Sequence, residues 1–175
     1  MIQTDNNFIK TDPKKLNKNI FSMMDDDWML ITAGNKESFN TMTASWGTVG
    51  ILWNKPVAIC FIRPQRHTFS FMEKSDFYTL CFFTEKERHI LEYCGNLSGR
   101  DTDKIRDTGL IPIFTENGAI YYEQARLVLE CRKLYSARLE EDNFIVKKII
   151  SANYPKKDFH KFYIGEIINC FKHRA

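Results

Sequence analysis

The stretch from Ser38 to Met72 holds the residues best suited to chemistry, because it carries positive charge and no negative charge. Its cationic or titratable side chains are Lys55, Arg63, Arg66 and His67, and it contains no Asp or Glu. With 22 acidic residues in a chain of 175, about four would be expected here by proportion. Two explanations are open: buried strands exclude acidic side chains, or the stretch binds an anion.

Two short segments of this stretch favour anion binding. Residues 40–47 (NTMTASWG) place hydroxyl and amide side chains among small residues, and residues 63–68 (RPQRHT) place two guanidinium groups beside the predicted start of a helix. Hydroxyls, arginines and helix N-termini are groups with which proteins hold phosphate. Neither a GxGxxG motif nor a Walker A motif is present, which excludes a Rossmann or P-loop phosphate site.

Composition argues against several other classes of protein. The net charge of +3 is too small to indicate a nucleic-acid or membrane surface. No run of about 18 apolar residues predicts a membrane span, and the first residues lack the apolar segment of a secretory signal. The five cysteines form no CxxC motif, so we expect reduced thiols in a cytoplasmic protein and no metal site.

The hydrophobic pattern predicts a mainly β protein of the α+β class. Strands are predicted at residues 28–33, 39–47, 57–62, 77–83, 119–139 and 160–171, and short helices at residues 68–74, 85–93 and 143–152. These elements do not alternate regularly, which disfavours a doubly wound parallel sheet and favours an antiparallel barrel with peripheral short helices. We expect residues 1–175 to form one domain, in which residues 1–26 are an N-terminal helical extension.

Five segments, in order and at compatible spacing, resemble the flavin reductase-like family, whose fold is the FMN-binding split barrel, and within it the flavoredoxin branch. The resemblance covers residues 18–171, nearly the whole chain. Each segment alone is a weak signal and the five together are a strong one. They are residues 40–47 (NTMTASWG), 54–57 (NKPV), 61–68 (FIRPQRHT), 98–104 (SGRDTDK) and 160–166 (HKFYIGE).

The resemblance implies a homodimer that binds FMN non-covalently near the subunit interface. The residues it places beside the isoalloxazine ring are Thr41, Met42, Thr43, Ala44, Ser45 and Trp46. The residues it places at the FMN phosphate are Arg63, Arg66 and Thr68. Two arginines at these positions resemble the flavoredoxin branch and would hold FMN more tightly than small polar residues.

The resemblance also supplies a catalytic candidate, His160, which falls ahead of the last strand on the nicotinamide side of the flavin. In family reductases an acidic residue often directly precedes this histidine, whereas here Phe159 separates it from Asp158. Two further features each have two interpretations. Trp46 either flanks the flavin or belongs to the core. The loop of residues 98–104 either closes over the ligand, with Arg100 or Lys104 reaching the phosphate, or is a solvated charged loop.

The sequence therefore predicts a cytoplasmic, homodimeric FMN flavoprotein that transfers electrons or hydride through bound FMN. In the first hypothesis NAD(P)H is the electron donor and the protein is an oxidoreductase, a flavin reductase. In the second, the protein is an FMN electron carrier that a redox partner protein reduces, with no direct NAD(P)H activity. A third idea, a barrel that binds single-stranded nucleic acid, is disfavoured by the small net charge and the absence of RNA-binding motifs. Neither nucleic acid nor a membrane is expected as a partner.

Overall fold

A single antiparallel sheet organises the protein. The structure is a computed structural model that describes residues 7–174, and within them eight strands join in the order β3-β2-β6-β9-β10-β5-β4, with β1 paired to β10. Two further strands, β7 and β8, form a separate hairpin. The ten strands are β1 (Phe8–Thr11), β2 (Met29–Gly34), β3 (Phe39–Ala44), β4 (Gly47–Leu52), β5 (Lys55–Ile62), β6 (Phe77–Phe82), β7 (Pro112–Phe114), β8 (Ile120–Tyr122), β9 (Leu127–Arg138) and β10 (Lys161–His173).

Two long strands curl the sheet into a split barrel. β9 has 12 residues and β10 has 13, and their pairing shifts register after Ile164 and again after Ile167. Such irregularities increase the local twist and bend a sheet. The inner faces of β2, β5, β6, β9 and β10 consequently meet in one buried cluster. β3 and β4 follow one another in sequence but end the sheet at opposite edges, which leaves the barrel open between them.

Five short helices lie around the barrel: α1 (Ile20–Ser22), α2 (His67–Lys74), α3 (Arg88–Asn96), α4 (Lys104–Thr108) and α5 (Lys148–Asn153). α2 buries Thr68 and Met72, four residues apart on one face, as expected for an amphipathic helix. α3 buries Ile90, Leu91 and Cys94 in a second cluster, on the outer side of the sheet. α5 buries none of its residues.

The split barrel with peripheral helices confirms the predicted fold class, and each predicted strand has a counterpart. The sequence analysis missed β1, β4 and β7. β4 escaped because Gly47, Gly50 and an exposed Ile51 interrupt the alternation expected of a strand. The predicted strand over residues 119–139 is two strands, β8 and β9.

The N-terminal extension differs from the helix predicted for residues 1–26. Residues 8–11 form β1, which pairs with the last four residues of β10 from Cys170 to His173. A 3₁₀ turn (Pro13–Lys15), α1 and a π-helical turn (Met23–Asp27) follow. Phe8 explains the strand, because its ring packs edge-on against Tyr121 at a centroid distance of 5.2 Å and is 9% exposed. Residues 1–6 lie outside the described part of the chain.

The cysteines carry no reactive thiolate. All five are buried and unpaired, and burial raises the pKa of both Cys60 and Cys81 to about 12. Among residues 7–174, no three His, Cys, Asp or Glu side chains cluster in a way that could hold a metal ion. No helix in the same range combines the length and apolar character needed to cross a membrane.

Candidate functional site

The main cavity of interest lies where β3 ends and the chain crosses to β4. Its volume is about 300 Å³, and residues 42–46 form one wall. Phe61 and Arg63 from the end of β5, Arg66 from the turn before α2, and His160 from the start of β10 complete the lining. The split between β3 and β4 therefore brings together three of the five sequence segments that carry the resemblance: 40–47, 61–68 and 160–166.

A smaller cavity of about 100 Å³ adjoins the main one and shares Met42 and Arg66 with it. The first residues of α2 form one side, and Leu97, Ser98 and Gly99 form the other. The side chains of Asn40 and Lys104 close it. Two cavities in contact, one open and one small, suit a ligand with a broad part and a compact end.

Two cations face each other at this smaller cavity with only backbone carbonyls as partners. Arg66 donates to the carbonyl oxygens of Gly95 (2.9 Å) and Cys94 (3.4 Å). Lys104 is buried, and its Nζ donates to the carbonyl oxygens of Cys94 (2.8 Å) and Thr41 (2.9 Å). Within residues 7–174 neither cation forms an ion pair.

Burial disfavours the charged forms of both side chains. It lowers the pKa of Arg66. It also lowers the pKa of Lys104 to about 8, and the positive charge of Arg66 adds to that effect. Buried charges in proteins are normally paired. A site with two uncompensated cations therefore matches an anionic ligand.

The N-terminus of α2 adds further donors to the smaller cavity. Arg66 is the N-cap residue and makes no side-chain capping bond, and the first N–H groups of a helix have no intrahelical partner. Nδ1 of His67 is buried and has no hydrogen-bond partner among the described residues. Burial lowers the pKa of His67, and the nearby charges of Arg100 and Lys104 lower it further. The two cations and the helix N-terminus at this end therefore complement negative charge.

Arg63 lines the main cavity but is already neutralised. Its Nη1 donates to Asp158 Oδ2 at 2.5 Å and its Nη2 donates to the carbonyl oxygen of Asn153 at 2.9 Å. Gln65 also donates to Asp158 Oδ2, at 2.6 Å. These two hydrogen bonds, that of Arg63 first, lower the pKa of the Asp158 carboxyl group. The two arginines predicted to act together thus have different environments.

His160 is held between Tyr154 and Trp46. Its Nδ1 is 2.9 Å from the hydroxyl of Tyr154, and its ring centroid lies 5.1 Å from that of Trp46. Burial, followed by the charge of Arg63, lowers the pKa of His160 to about 4, so the ring is neutral near pH 7. Trp46 is 45% exposed and lines the cavity, so the interpretation that it belongs to the core is wrong.

Three predicted ligand residues turn their side chains away from the main cavity. Thr41 is buried and bonds to the hydroxyl of Thr32 at 3.0 Å. Thr43 donates to the carbonyl oxygen of Leu91 in α3 at 2.5 Å. Thr68 accepts from Nδ2 of Asn40 at 2.7 Å and borders the smaller cavity. Thr41 contributes its backbone instead, as an acceptor for Lys104.

The loop of residues 98–104 was interpreted either as closing over the ligand or as a solvated charged loop, and its two ends differ in this respect. Arg100 is exposed, and its Nη1 donates to the carbonyl oxygen of Gln65 at 3.1 Å, so it lies at the rim. Lys104, at the other end, is 5% exposed and borders the smaller cavity. Gly99, directly before Arg100, packs so closely that a Cβ there would lie 2.0 Å from Oδ1 of Asn40.

The family model described as "Flavin reductase like domain" matches residues 22–174. This chain belongs to the flavin reductase-like family. The match runs from the end of α1 to the last described residue, which agrees with the resemblance found in the sequence.

Solved structures show the same fold at low identity. The flavoredoxin of Methanosarcina acetivorans has a TM-score of 0.66 and 22% identity, with 94% of this chain and 77% of that chain covered. An FMN-binding protein from Thermus thermophilus, with bound p-hydroxybenzaldehyde, has a TM-score of 0.65 and 19% identity, covering 83% and 70%. An NADH:FAD oxidoreductase from Streptomyces globisporus, in complex with NAD and FAD fragments, has a TM-score of 0.62 and 14% identity, covering 83% and 74%. No curated protein sequence matches significantly.

Sequence reasoning missed several residues of this flavin reductase-like site. No sequence pattern singles out Tyr154, because its contact with His160 forms only when the chain folds back before β10. The resemblance gives His67 no role, yet its Nδ1 is buried and the residue borders the smaller cavity. Phe61 and Asn40 belong to segments that carried the resemblance. Phe61 lines the main cavity and Asn40 the smaller one, and the alternation of side chains along β5 and β3 is the pattern that could have indicated this.

Proposed function

We propose that this flavin reductase-like protein binds FMN non-covalently and transfers electrons through it. The observation that carries the proposal is a pair of cations, the half-buried Arg66 and the buried Lys104, which share a carbonyl acceptor and have no carboxylate partner within residues 7–174. They stand at the small cavity, directly beside the open cavity along β3. A phosphate monoester attached to a broad planar ring matches this arrangement.

The residues present fit FMN. The phosphate would be held by Arg66, Lys104 and the free N–H groups at the start of α2, with His67 Nδ1 as a further polar contact. Charge-assisted hydrogen bonds of this kind are the strong ones in proteins. The isoalloxazine ring would lie along residues 42–46, where backbone groups and Ser45 are available. Met42, Trp46 and Phe61 supply apolar surface for a flat ring.

When bound, FMN supplies the redox chemistry by accepting electrons or hydride and passing them on. The chain's own residues bind, orient and restrict access. Trp46 and Phe61 limit water at the open side, and Tyr154 fixes the ring of His160 through a hydrogen bond. Neutral His160 presents a polar but uncharged edge to the cavity. No acid–base pair among these residues is required.

Two electron donors are compatible with this site. NAD(P)H is the first, because the main cavity is open on one side to a second planar molecule, and the protein would then be a flavin reductase. A redox partner protein is the second, because Trp46 and His160 line the same cavity with their rings 5.1 Å apart, and a nicotinamide that stacks there would have to pack against them. In both cases we propose that FMN stays bound throughout turnover.

We also propose that the protein is a cytoplasmic homodimer. Strand β4 is a sheet edge with an exposed Ile51, and Trp46 and Trp53 flank it with exposed rings. Apolar groups on one edge are typical of subunit interfaces. Light scattering should give twice the 20.6 kDa chain mass, and a result equal to one chain would exclude the dimer.

The test of FMN binding is direct. The purified chain is loaded with FMN or with riboflavin, passed over a desalting column, and scanned for flavin absorbance. Retention of FMN at one molecule per chain, with poor retention of riboflavin, is the expected result. Loss of FMN on the column, or equal retention of both, would contradict the proposal.

A further inference from the structure

The two ring nitrogens of His160 have different surroundings. Nδ1 lies 2.9 Å from the hydroxyl oxygen of Tyr154. Nε2 has no hydrogen-bond partner among residues 7–174, yet it is not one of the buried polar atoms that lack a partner. His160 lines the main cavity and Tyr154 does not, so Nε2 is the nitrogen that faces the cavity. Whether Nε2 carries a proton therefore decides whether His160 donates or accepts a hydrogen bond there.

The hydroxyl of Tyr154 determines which nitrogen is protonated. In a neutral imidazole, the hydrogen bond made by one ring nitrogen sets the state of the other. Tyr154 is 3% exposed, and its hydroxyl has no second partner in the described part of the chain. A proton on Nδ1 would leave the buried phenol proton without an acceptor, which is costly. With the proton on Nε2, the hydroxyl donates to Nδ1 and both groups are satisfied.

The cationic form of His160 does not compete with this arrangement. Burial, followed by the charge of Arg63, lowers the pKa of His160 to about 4. Near pH 7 the ring is therefore neutral and carries one proton. Asp158, the acidic group that acts on the ring, raises the pKa by less than Arg63 and burial lower it.

Neighbouring side chains hold the ring of Tyr154 in place. Its centroid lies 4.9 Å from that of Phe159 and 5.9 Å from that of Phe144. The guanidinium carbon of Arg63 lies over the ring, 5.3 Å from the centroid, and such a contact is attractive. Arg63 is itself bonded to Asp158 at 2.5 Å. The phenol is thus positioned by the fold, without any contribution from a ligand.

His160 borders the wall along which the flavin ring is proposed to lie. Its ring centroid is 5.1 Å from that of Trp46, the last residue of the wall formed by residues 42–46. Phe61 meets the imidazole edge-on at 6.3 Å. His160 is 9% exposed, so these contacts leave little freedom for the ring to turn. Nε2 consequently adjoins the space of the flavin.

We propose that Tyr154 is a positioning residue that holds His160 as the Nε2–H tautomer, so that the cavity presents a fixed hydrogen-bond donor to the bound flavin. The inference deepens the proposed function and rests on it. Two-electron reduction increases the negative charge on the ring, and a preorganised donor stabilises such charge. Hydrogen bonds to a flavin ring are one means by which a protein tunes its electronics. His160 keeps its proton throughout, so it raises the redox potential without transferring a proton.

Nitrogen NMR reads the tautomer directly and does not depend on activity. The full chain is labelled with ¹⁵N-histidine and measured near pH 7, before and after loading with FMN. It contains four histidines, and His160→Leu identifies the signals of His160 by their loss. In the wild type we expect a protonated Nε2 and an unprotonated Nδ1. Tyr154→Phe should move the two ¹⁵N shifts of His160 towards each other, because the second tautomer becomes populated.

The midpoint potential of the FMN-loaded protein tests the consequence for the flavin. Tyr154→Phe should lower the ratio of the affinities for reduced and oxidised flavin about 3- to 10-fold, which is ~15–30 mV for a two-electron couple. His160→Leu should lower it at least as much, and Tyr154→Phe should add nothing in that background. Tyr135→Phe is the matched control, because Tyr135 is 49% exposed and its hydroxyl makes no hydrogen bond among residues 7–174. Its potential should equal that of the wild type.

Three results would overturn the proposal and leave FMN binding intact. The first is a wild-type His160 that is protonated on Nδ1 or divided equally between the two tautomers, a result that needs no variant. The second is the same potential for Tyr154→Phe as for Tyr135→Phe. The third is an equal shift by Tyr154→Phe in the wild type and in His160→Leu, which would show that Tyr154 does not act through His160. Failure of the wild type to retain FMN would instead overturn the proposed function, and this proposal with it.

Discussion

Arg66 and Lys104 donate hydrogen bonds to the same backbone carbonyl oxygen, that of Cys94, at 3.4 and 2.8 Å. Two positive charges are thereby held close together in a partly buried site, with only peptide dipoles to stabilise them. Their mutual repulsion weakens when an anion binds between or beside them. This weaker repulsion favours binding, and it does so only for a ligand that carries negative charge at this end.

The first prediction separates the two arginines of the site. Arg66→Ala should weaken FMN binding about 10- to 100-fold, because a charge-assisted hydrogen bond is worth ~1.5–3 kcal/mol. Riboflavin lacks the phosphate, so its affinity should change far less. Arg63→Ala is the matched control, since Arg63 is engaged by Asp158 and its loss should affect both flavins by similar factors. Fluorescence titration measures all four affinities, and equal losses of FMN and riboflavin in Arg66→Ala would exclude the assignment.

The second prediction concerns pH and Lys104. Its pKa in the free protein is about 8, so raising the pH through 8 removes the proton that attracts phosphate. The ratio of riboflavin to FMN dissociation constants should therefore fall between pH 7 and 9. Lys104→Arg should keep its charge and flatten this dependence, while Lys104→Met should be weak at every pH. A ratio that stays constant with pH in the wild type would show that Lys104 does not contact the phosphate.

The sequence identified the fold because its five segments lie on strands and turns that the barrel requires. Strands such as β2, β5 and β6 are short apolar runs bounded by turn residues, and such runs are readable from sequence alone. β1 was not readable, because it pairs with residues of β10 that lie 159 to 165 positions further along the chain, from Thr11↔Cys170 (170 − 11) to Phe8↔His173 (173 − 8). The helix expected near the N-terminus gave way to tertiary contacts of Phe8 with Tyr121, since packing overrides local propensity.

Composition pointed to only part of the candidate site and not to its pairings. The stretch without acidic residues, 38 to 72, contains Arg66 but not Lys104, the other cation at the smaller cavity. Which arginine is free depends on Asp158, which lies 95 residues from Arg63 in sequence. Likewise, Thr41 and Thr43 are predicted to lie beside the flavin, but their side chains bond to Thr32 and to the carbonyl oxygen of Leu91, whereas Met42, on the other face of β3, borders both cavities. Only the register of the sheet determines which face a strand residue occupies.

The third prediction tests the packing that shapes the smaller cavity. Gly99→Ala would place a Cβ 2.0 Å from Oδ1 of Asn40, whose Nδ2 is tied to Thr68. The amide cannot move without losing that bond, so we expect a loss of about 1–3 kcal/mol in the free energy of unfolding, the usual cost of overpacking, together with weaker FMN binding. Gly50→Ala is the control, because no atom lies within 4 Å of its Cβ position. Urea unfolding of both variants gives the comparison, and a Gly99→Ala protein as stable as Gly50→Ala would contradict the tight contact.

The fourth prediction separates enzyme from carrier. Hydride transfer requires the nicotinamide to stack on the flavin with the reacting atoms ~3–3.5 Å apart. Trp46 and His160 both line the cavity, with ring centroids 5.1 Å apart, so a nicotinamide must displace or pack against them. We therefore expect anaerobic reduction by NADH or NADPH to be slower than the usual enzyme scale of about 10 per second. His160→Ala should slow it further, while dithionite reduction stays unchanged.

The pH dependence of the same reaction tests the state of His160. With a pKa of about 4, the ring remains neutral from pH 6 to 8, and the contribution of His160 to the rate should be constant over that range. Tyr154→Phe removes the hydroxyl that holds Nδ1, so His160 should become more mobile and the nicotinamide reaction slower, with FMN affinity preserved. Stopped-flow measurements of flavin reduction by NADH or NADPH in the FMN-loaded wild type, His160→Ala and Tyr154→Phe test both expectations. A wild-type rate at or above about 10 per second would establish a reductase, and an inflection near pH 6.5 that vanishes in His160→Ala would show that the ring titrates in the site.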